Sequence, residues 1–161
     1  IPEAAQNLTY NGKDQTGIKE GEGYTLTGTS TGKKAGEYTA RAILSENYIW
    51  KDGSTKAATI KWNITKADQK ITTKKSSASY KVSTLEEKSK SFQIGAKAKG
   101  KLTYKVTKSP KNASKYVTVD KNGKVTIKKN APAGTWKITV TAASTSSYNK
   151  AAKVITVKVK K

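Results

Sequence analysis

Ile60-Lys61-Trp62-Asn63-Ile64-Thr65-Lys66-Ala67-Asp68-Gln69-Lys70-Ile71 carries both the fold class and the organisation of this chain. Ile60, Trp62 and Ile64 alternate with Lys61, Asn63 and Thr65, the period of two that a strand needs when one face meets a core and the other meets water. The segment Thr65 to Gln69 contains neither Gly nor Pro, so it is no flexible Gly/Ser linker. On either side of it the chain changes character. Up to Lys66 there are 9 basic and 7 acidic residues, net +2, and from Ala67 onward 23 basic and 4 acidic, net +19, which together give the +21 of the whole. A length of 161 residues accommodates two small domains. The expected division is 1–66 and 67–161.

Working back from this hinge, Tyr38, Ala40, Ala42 and Leu44 share one face of a predicted strand, with Thr39, Arg41 and Ile43 on the other. Tyr24 to Gly28 alternates in the same way. Asn11-Gly12, set between two short extended runs, predicts a tight hairpin with positive φ at both central residues. Working forward, Gln69 to Lys75 is read as the opening of the second module, and Phe92 to Ile94 and Leu102 to Val106 read as strands. Val117 to Val119 and Val125 to Ile127 flank the turn Asp120-Lys121-Asn122-Gly123-Lys124. Trp136, Ile138, Val140 and Ala142 make an apolar face, as do Ile155, Val157 and Val159. Thr84 to Lys88 is the one helical suggestion, too short to stand alone.

The two modules end alike. Ala35-Gly36-Glu37-Tyr38 matches Ala133-Gly134-Thr135-Trp136, Tyr48 matches Tyr148, and Lys56-Ala57-Ala58 matches Lys150-Ala151-Ala152. Short strands at regular spacing with almost no helix predict an all-β protein of two tandem immunoglobulin-like β-sandwich modules.

Composition narrows the chemistry. The absence of Cys rules out a disulfide framework, and the absence of His removes the usual general base and the commonest neutral metal ligand. No catalytic, metal or cofactor site is expected, and none is assigned. Of the 32 basic residues all but Arg41 are Lys, which suits diffuse attraction to polyanions better than base recognition, so no specific nucleic acid is expected as a partner. No apolar run approaches the ~20 residues of a membrane-spanning helix. A chain with no Met is expected to be a processed or excised piece, here a monomeric segment of a longer multidomain protein.

One loop offers a candidate binding site. Tyr48, Trp50, Lys51 and Asp52 lie around the Asp52-Gly53 turn, where Trp50 either presents a ring to a sugar with Lys51 and Asp52 as polar partners, or plugs one end of the sandwich. Asp120-Lys121-Asn122-Gly123 begins like a calcium loop but lacks the later acidic ligands, and a plain turn explains it. The pairs Glu20/Glu22 and Glu86/Glu87 have no apolar pocket to separate their pKa values and are read as solvated charge. A Lys-to-Asn isopeptide crosslink is conceivable, though no trio of residues for it stands out. The lysines of the last strand, Lys153, Lys158 and Lys160, are read as guards of a sheet edge.

Tyr10-Asn11-Gly12-Lys13, Gly23-Tyr24-Thr25-Leu26-Thr27-Gly28-Thr29 and Tyr48-Ile49-Trp50-Lys51-Asp52-Gly53 make the first module resemble repeats found in long surface proteins of Gram-positive Firmicutes. The second, through Leu102 to Val106, Val117 to Ile127 and the strand after Ala133-Gly134, is similar to bacterial Ig-like and cadherin-like repeats. That resemblance implies an extracellular, non-enzymatic stalk or adhesion segment at the bacterial surface. The residues themselves leave two alternatives: a module that binds a glycan or host protein through the Tyr48 to Gly53 loop, or one whose second-module lysines hold an anionic cell-wall polymer.

Overall fold

In the computed structural model, which describes residues 1–161, the period of two seen in the sequence becomes antiparallel pairing around two separate cores. The chain forms two compact units, residues 1–67 with 146–148, and residues 68–145 with 149–161. It is an all-β protein of immunoglobulin-like sandwiches. No helix is long and apolar enough to cross a membrane.

In the first unit, β1 (Gln15–Thr16), β2 (Tyr24–Gly28), β3 (Thr31–Gly32), β4 (Gly36–Leu44) and β5 (Ala58–Ile64) make two sheets, β1-β3 and β2-β4-β5. Ile18, Ala40, Trp62 and Ile64 are buried between them, with Tyr10, Leu26 and Tyr38 packed around. Trp62 sits opposite Tyr38 in the ladder, and their rings stack at 4.4 Å. Its indole N–H donates to the Thr29 carbonyl at 2.7 Å, so the largest side chain of this core leaves no polar atom unpaired.

The expected Asn11-Gly12 hairpin does not form. Only Gly12 has positive φ, +77°, and the Asn11 side chain instead accepts from the Lys13 N–H in an Asx turn. The runs flanking it pair elsewhere. Thr9 lies parallel to Thr65, with Thr65 N–H donating to Leu8 O and Tyr10 N–H to Thr65 O, while β1 pairs with β3. Bonding across the module wins because Leu8 and Tyr10 thereby reach the core.

The second unit is larger. β6 (Ser77–Lys81), the single-turn α1 (Val82–Glu87), β7 (Lys90–Gln93), β8 (Leu102–Lys108), β9 (Val117–Val119), β10 (Lys124–Ile127), β11 (Gly134–Ala142) and β12 (Ala151–Lys160) form a four-stranded sheet, β6-β12-β11-β8, and a three-stranded one, β7-β10-β9. The inward sides of β11 and β12 supply Trp136, Ile138, Val140, Ile155 and Val157, which meet Val125, Ile127 and Ile94. The short helix is held by Leu85, fully buried, rather than by its own propensity. Trp136, also fully buried, donates its indole N–H to Ala113 O at 3.0 Å.

Three expectations change here. Residues 69–75 make only a single bridge, Thr72 to Lys97, and the strand that opens the sheet is β6. Next, β12 is covered by β6 from Thr156 to Lys160, so Lys158 and Lys160 stand on its outer face rather than guarding a free edge, whereas Lys153 lies on the stretch that β6 does not cover. Finally, the repeated ending is one residue out of register. Gly36 faces Ile64 and Gly134 faces Val159, so Ile60, Trp62 and Ile64 correspond to Ile155, Val157 and Val159. Matching Lys56-Ala57-Ala58 to Lys150-Ala151-Ala152 would place Trp62 on the half-exposed Thr156; a slip of one turns every side chain to the other face.

Candidate functional site

The Tyr48 to Gly53 loop is built by the chain folding back on itself. Trp50 N–H donates to Ser54 O at 2.9 Å and Gly53 N–H to Trp50 O at 2.8 Å, closing a turn in which Gly53 takes φ +77°. Asp52 Oδ1 accepts from the Ser54 N–H at 3.0 Å and the Ser54 hydroxyl at 2.7 Å. The Trp50 indole is turned inward: it is 6% exposed, packs against the Tyr24 ring at 5.9 Å and donates to Lys56 O at 2.7 Å. It therefore plugs this end of the unit, and the platform reading loses its central ring. What the loop does show to solvent is Tyr48, 46% exposed, and Ile49, 68% exposed, with Lys51 and Asp52 beside them. A shallow groove runs past Ile1, Tyr24, Tyr48, Ile49 and Lys51.

A residue the sequence reading passed over has the densest polar environment. Gln69 is buried at 8% exposure, and its amide spends its whole hydrogen-bonding capacity on backbone. Nε2 donates to Ala143 O at 2.9 Å and Asn149 O at 2.7 Å, and Oε1 accepts from Lys99 N–H at 3.0 Å and Gly100 N–H at 2.9 Å. Its role is to tie two loops together through their backbone. Gln69 is also the one buried polar or charged residue, so no lysine is buried as an isopeptide trio would demand. No three His, Cys, Asp or Glu side chains cluster to hold a metal ion.

Asp120, the start of the calcium-like stretch, is occupied by its own turn. Its Oδ1 accepts from Asn122 N–H at 2.8 Å and Lys124 N–H at 2.9 Å, and chiefly the Lys124 bond holds the carboxyl below its ordinary value of 3.8. Asp52 is lowered in the same manner by Ser54. A carboxylate with a depressed folded pKa adds stability that is present above the unfolded value and is lost as pH falls through the lowered folded value. Acidification through and below the carboxylate range should therefore lower the thermal midpoint. Asp120→Asn, which keeps the acceptor but removes the titration, should flatten the second unit's share of that loss. Thermal unfolding across an acid series measures both, and identical acid profiles for the two proteins would contradict the assignment.

No family model matches the chain, and no curated protein matches it in sequence. Among solved structures it is similar to the first four cadherin repeats of Drosophila N-cadherin, at 17% identity and a TM-score of 0.44, covering 83% of this chain and 35% of that one. It is also similar to immunoglobulin domains 1-4 of Sidekick-1, at 12% identity and a TM-score of 0.44, covering 96% of this chain and 46% of that one. A SusE-like, surface-located polysaccharide-binding protein from the heparin utilisation locus of Bacteroides thetaiotaomicron matches at 14% identity and a TM-score of 0.40, over 77% of this chain and 24% of that one. The chain thus spans less than half the length of each. Likeness at this level says nothing of ligand or role, and the fold rests on the strand pairings themselves.

Proposed function

We propose that this chain is a non-enzymatic, extracellular spacer or adhesion segment of a bacterial surface protein, projecting or presenting other domains. The observation that carries this reading is the parallel pairing of the second unit's first and last strands, with a single parallel bridge between early and late segments of the first. In the second unit β6 runs parallel to β12 from Ser77↔Thr156 to Lys81↔Lys160, and in the first a single bridge sets Thr9 parallel to Thr65. Parallel partners point the same way, so β6 begins beside Thr156, midway along β12, and the chain leaves from that strand's far end. In the second unit, β6 thus starts and β12 finishes at opposite ends of the paired stretch. Tension between its two ends loads the whole β6–β12 register in shear rather than peeling it one bond at a time.

The expectation is testable at one residue. Thr156 N–H donates to Ser76 O at 3.2 Å, which sets the alternation of this ladder and points the backbone groups of Ala78 at β12. Ala78→Pro removes a donor from that ladder and should cost about 2 kcal/mol at equilibrium. Pulled by its ends in single-molecule force spectroscopy, the second unit should unfold at markedly lower force in the variant. An unchanged force would remove the mechanical argument.

A second reading is favoured by the exposed Tyr48 and Ile49 beside the shallow groove: a loop that binds a glycan or a host protein. A glycan array together with a pull-down against host secreted proteins separates it from a pure spacer.

A further inference from the structure

The outer face of the sheet β6-β12-β11-β8 collects charge of one sign. Strand parity and register place Lys81 on β6, Lys158 and Lys160 on β12, Lys137 on β11 and Lys105 on β8 on this one solvent-facing surface. The positions between them are mainly Ser and Thr, among them Ser77, Ser79 and Thr156. The four acidic residues of the second unit all lie elsewhere: Asp68 before the sheet, Glu86 and Glu87 in α1 and after its first turn, and Asp120 in the β9–β10 turn. No carboxylate therefore compensates the lysines on their own face.

Two features point from a charged face to a ligand. Lys160 stands directly opposite Lys81 in the β6–β12 pairing, and Lys158 lies two residues along the same strand, about 7 Å away. Like charges set opposite each other cost stability, and a bound anion reverses the sign of that contribution. Along the same seam runs a shallow groove lined by Ser77, Ser79, Thr156, Lys158 and Lys160, which gives an extended chain a track with hydroxyl partners. We propose that this face binds a linear, base-free polyanion, its phosphate or carboxylate groups over the lysines and its hydroxyls against the Ser and Thr side chains.

The choice of a base-free polymer follows from what the face presents. It carries no aromatic ring on which a base could stack and no arginine to read a base edge, the single Arg41 lying on β4 of the other unit. Ammonium groups are point charges without a preferred plane, suited to repeated anionic groups of varied orientation. The proposal goes beyond the spacer reading, which stands or falls on the force measurement and not on this binding.

The test uses the full chain with three probes: linear polyphosphate, polygalacturonate and an oligothymidylate, titrated at several salt concentrations. Polyphosphate or polygalacturonate should bind, tell phosphate from carboxylate preference, and raise the thermal midpoint of the second unit. The combined variant Lys81→Gln, Lys158→Gln, Lys160→Gln should weaken that binding by about tenfold or more and lower the salt slope by about 2. A control with the same loss of charge, Lys121→Gln, Lys128→Gln, Lys129→Gln, removes exposed lysines near β9 and β10 and should weaken it far less. Equal losses in the two variants would show attraction to net charge alone and overturn the assignment. So would oligothymidylate binding as tightly as either base-free polymer, or no binding by either base-free polymer at low salt. Because all six lysines are exposed, unfolding curves of both variants should match the parent's cooperativity.

Discussion

Gln69→Leu should remove about 4 kcal/mol from the second unit and leave the first unit's transition in place. The side chains are close in size, so the change is one of polarity. Leucine cannot donate to Ala143 O and Asn149 O, nor accept from the Lys99 and Gly100 N–H groups, which now reach Gln69 at 2.7 to 3.0 Å. Each buried backbone group left without a partner costs about 1–3 kcal/mol, and four are at stake; water entering the site and the added apolar contact of leucine offset part of the sum. Against a typical domain stability of about 5–15 kcal/mol this is a large fraction. Gln69 also acts over distance in sequence, linking a residue near the start of the unit to loops 30 and 74 to 80 positions on. Its loss should therefore lower cooperativity as well as midpoint. Urea unfolding followed by a probe of each unit reads the effect, and a loss below about 1 kcal/mol would show that the four bonds contribute little net stability.

Gln69 also marks where reading the sequence stops working. Strands β4, β5, β11 and β12 were legible because each buries one face, so Trp62, Ile64, Trp136 and Val157 announce themselves by period. A polar residue gives no such signal, since its burial depends on backbone groups brought from elsewhere in the chain. One clue was present: Gln69 and Ile71 share strand parity, and both are buried. Strand β6 was illegible for a related reason. Ser-Ala-Ser-Tyr-Lys buries only Ala78 fully, and what makes it a strand is a parallel partner some 80 residues later, a pairing that no local pattern encodes. Asn11-Gly12 carried the right turn chemistry for a hairpin, and a non-local partner at Thr65 outweighed it.

The candidate site divides in the same way. The Asp52-Gly53 turn was legible because its residues bond to near neighbours, whereas the direction of Trp50 was not, because either a solvent-facing or an inward ring satisfies the local pattern. The lysine face needed still more. Lys158 and Lys160 share a face by parity alone, but adding Lys81, Lys137 and Lys105 to them requires the strand order. Thus the charge excess was visible in composition, and its concentration on one acid-free surface was a product of topology.

Gly17→Ala should sharply lower the first unit's stability and unfolding midpoint, and the reason lies in Trp62. A Cβ built on Gly17 would stand 1.9 to 2.3 Å from three atoms of the indole, far inside van der Waals contact. Neither side can yield easily. Gly17 is pinned through its backbone, its N–H donating to Ser30 O at 2.8 Å and its carbonyl accepting from Ala5 N–H at 2.7 Å. Trp62 is pinned by the stacked Tyr38 ring and by its bond to Thr29 O, and Gly32 closes its far edge, where an added Cβ would again meet the indole at 2.9 Å. Overpacking costs about 1–3 kcal/mol where the surroundings relax and more where they cannot; about 3 kcal/mol is expected here, because Trp62 is the largest member of the small buried cluster Ile18, Ala40, Trp62 and Ile64. The substitution falls on a residue outside the left-handed region, so backbone strain is not the cause, and a second substitution can prove it. Trp62→Leu alone should destabilise by leaving a cavity, but in its presence Gly17→Ala should cost far less than it does alone, since the atoms it strikes are gone. Additive losses in that double-mutant cycle would mean that the glycine serves the backbone and not the ring.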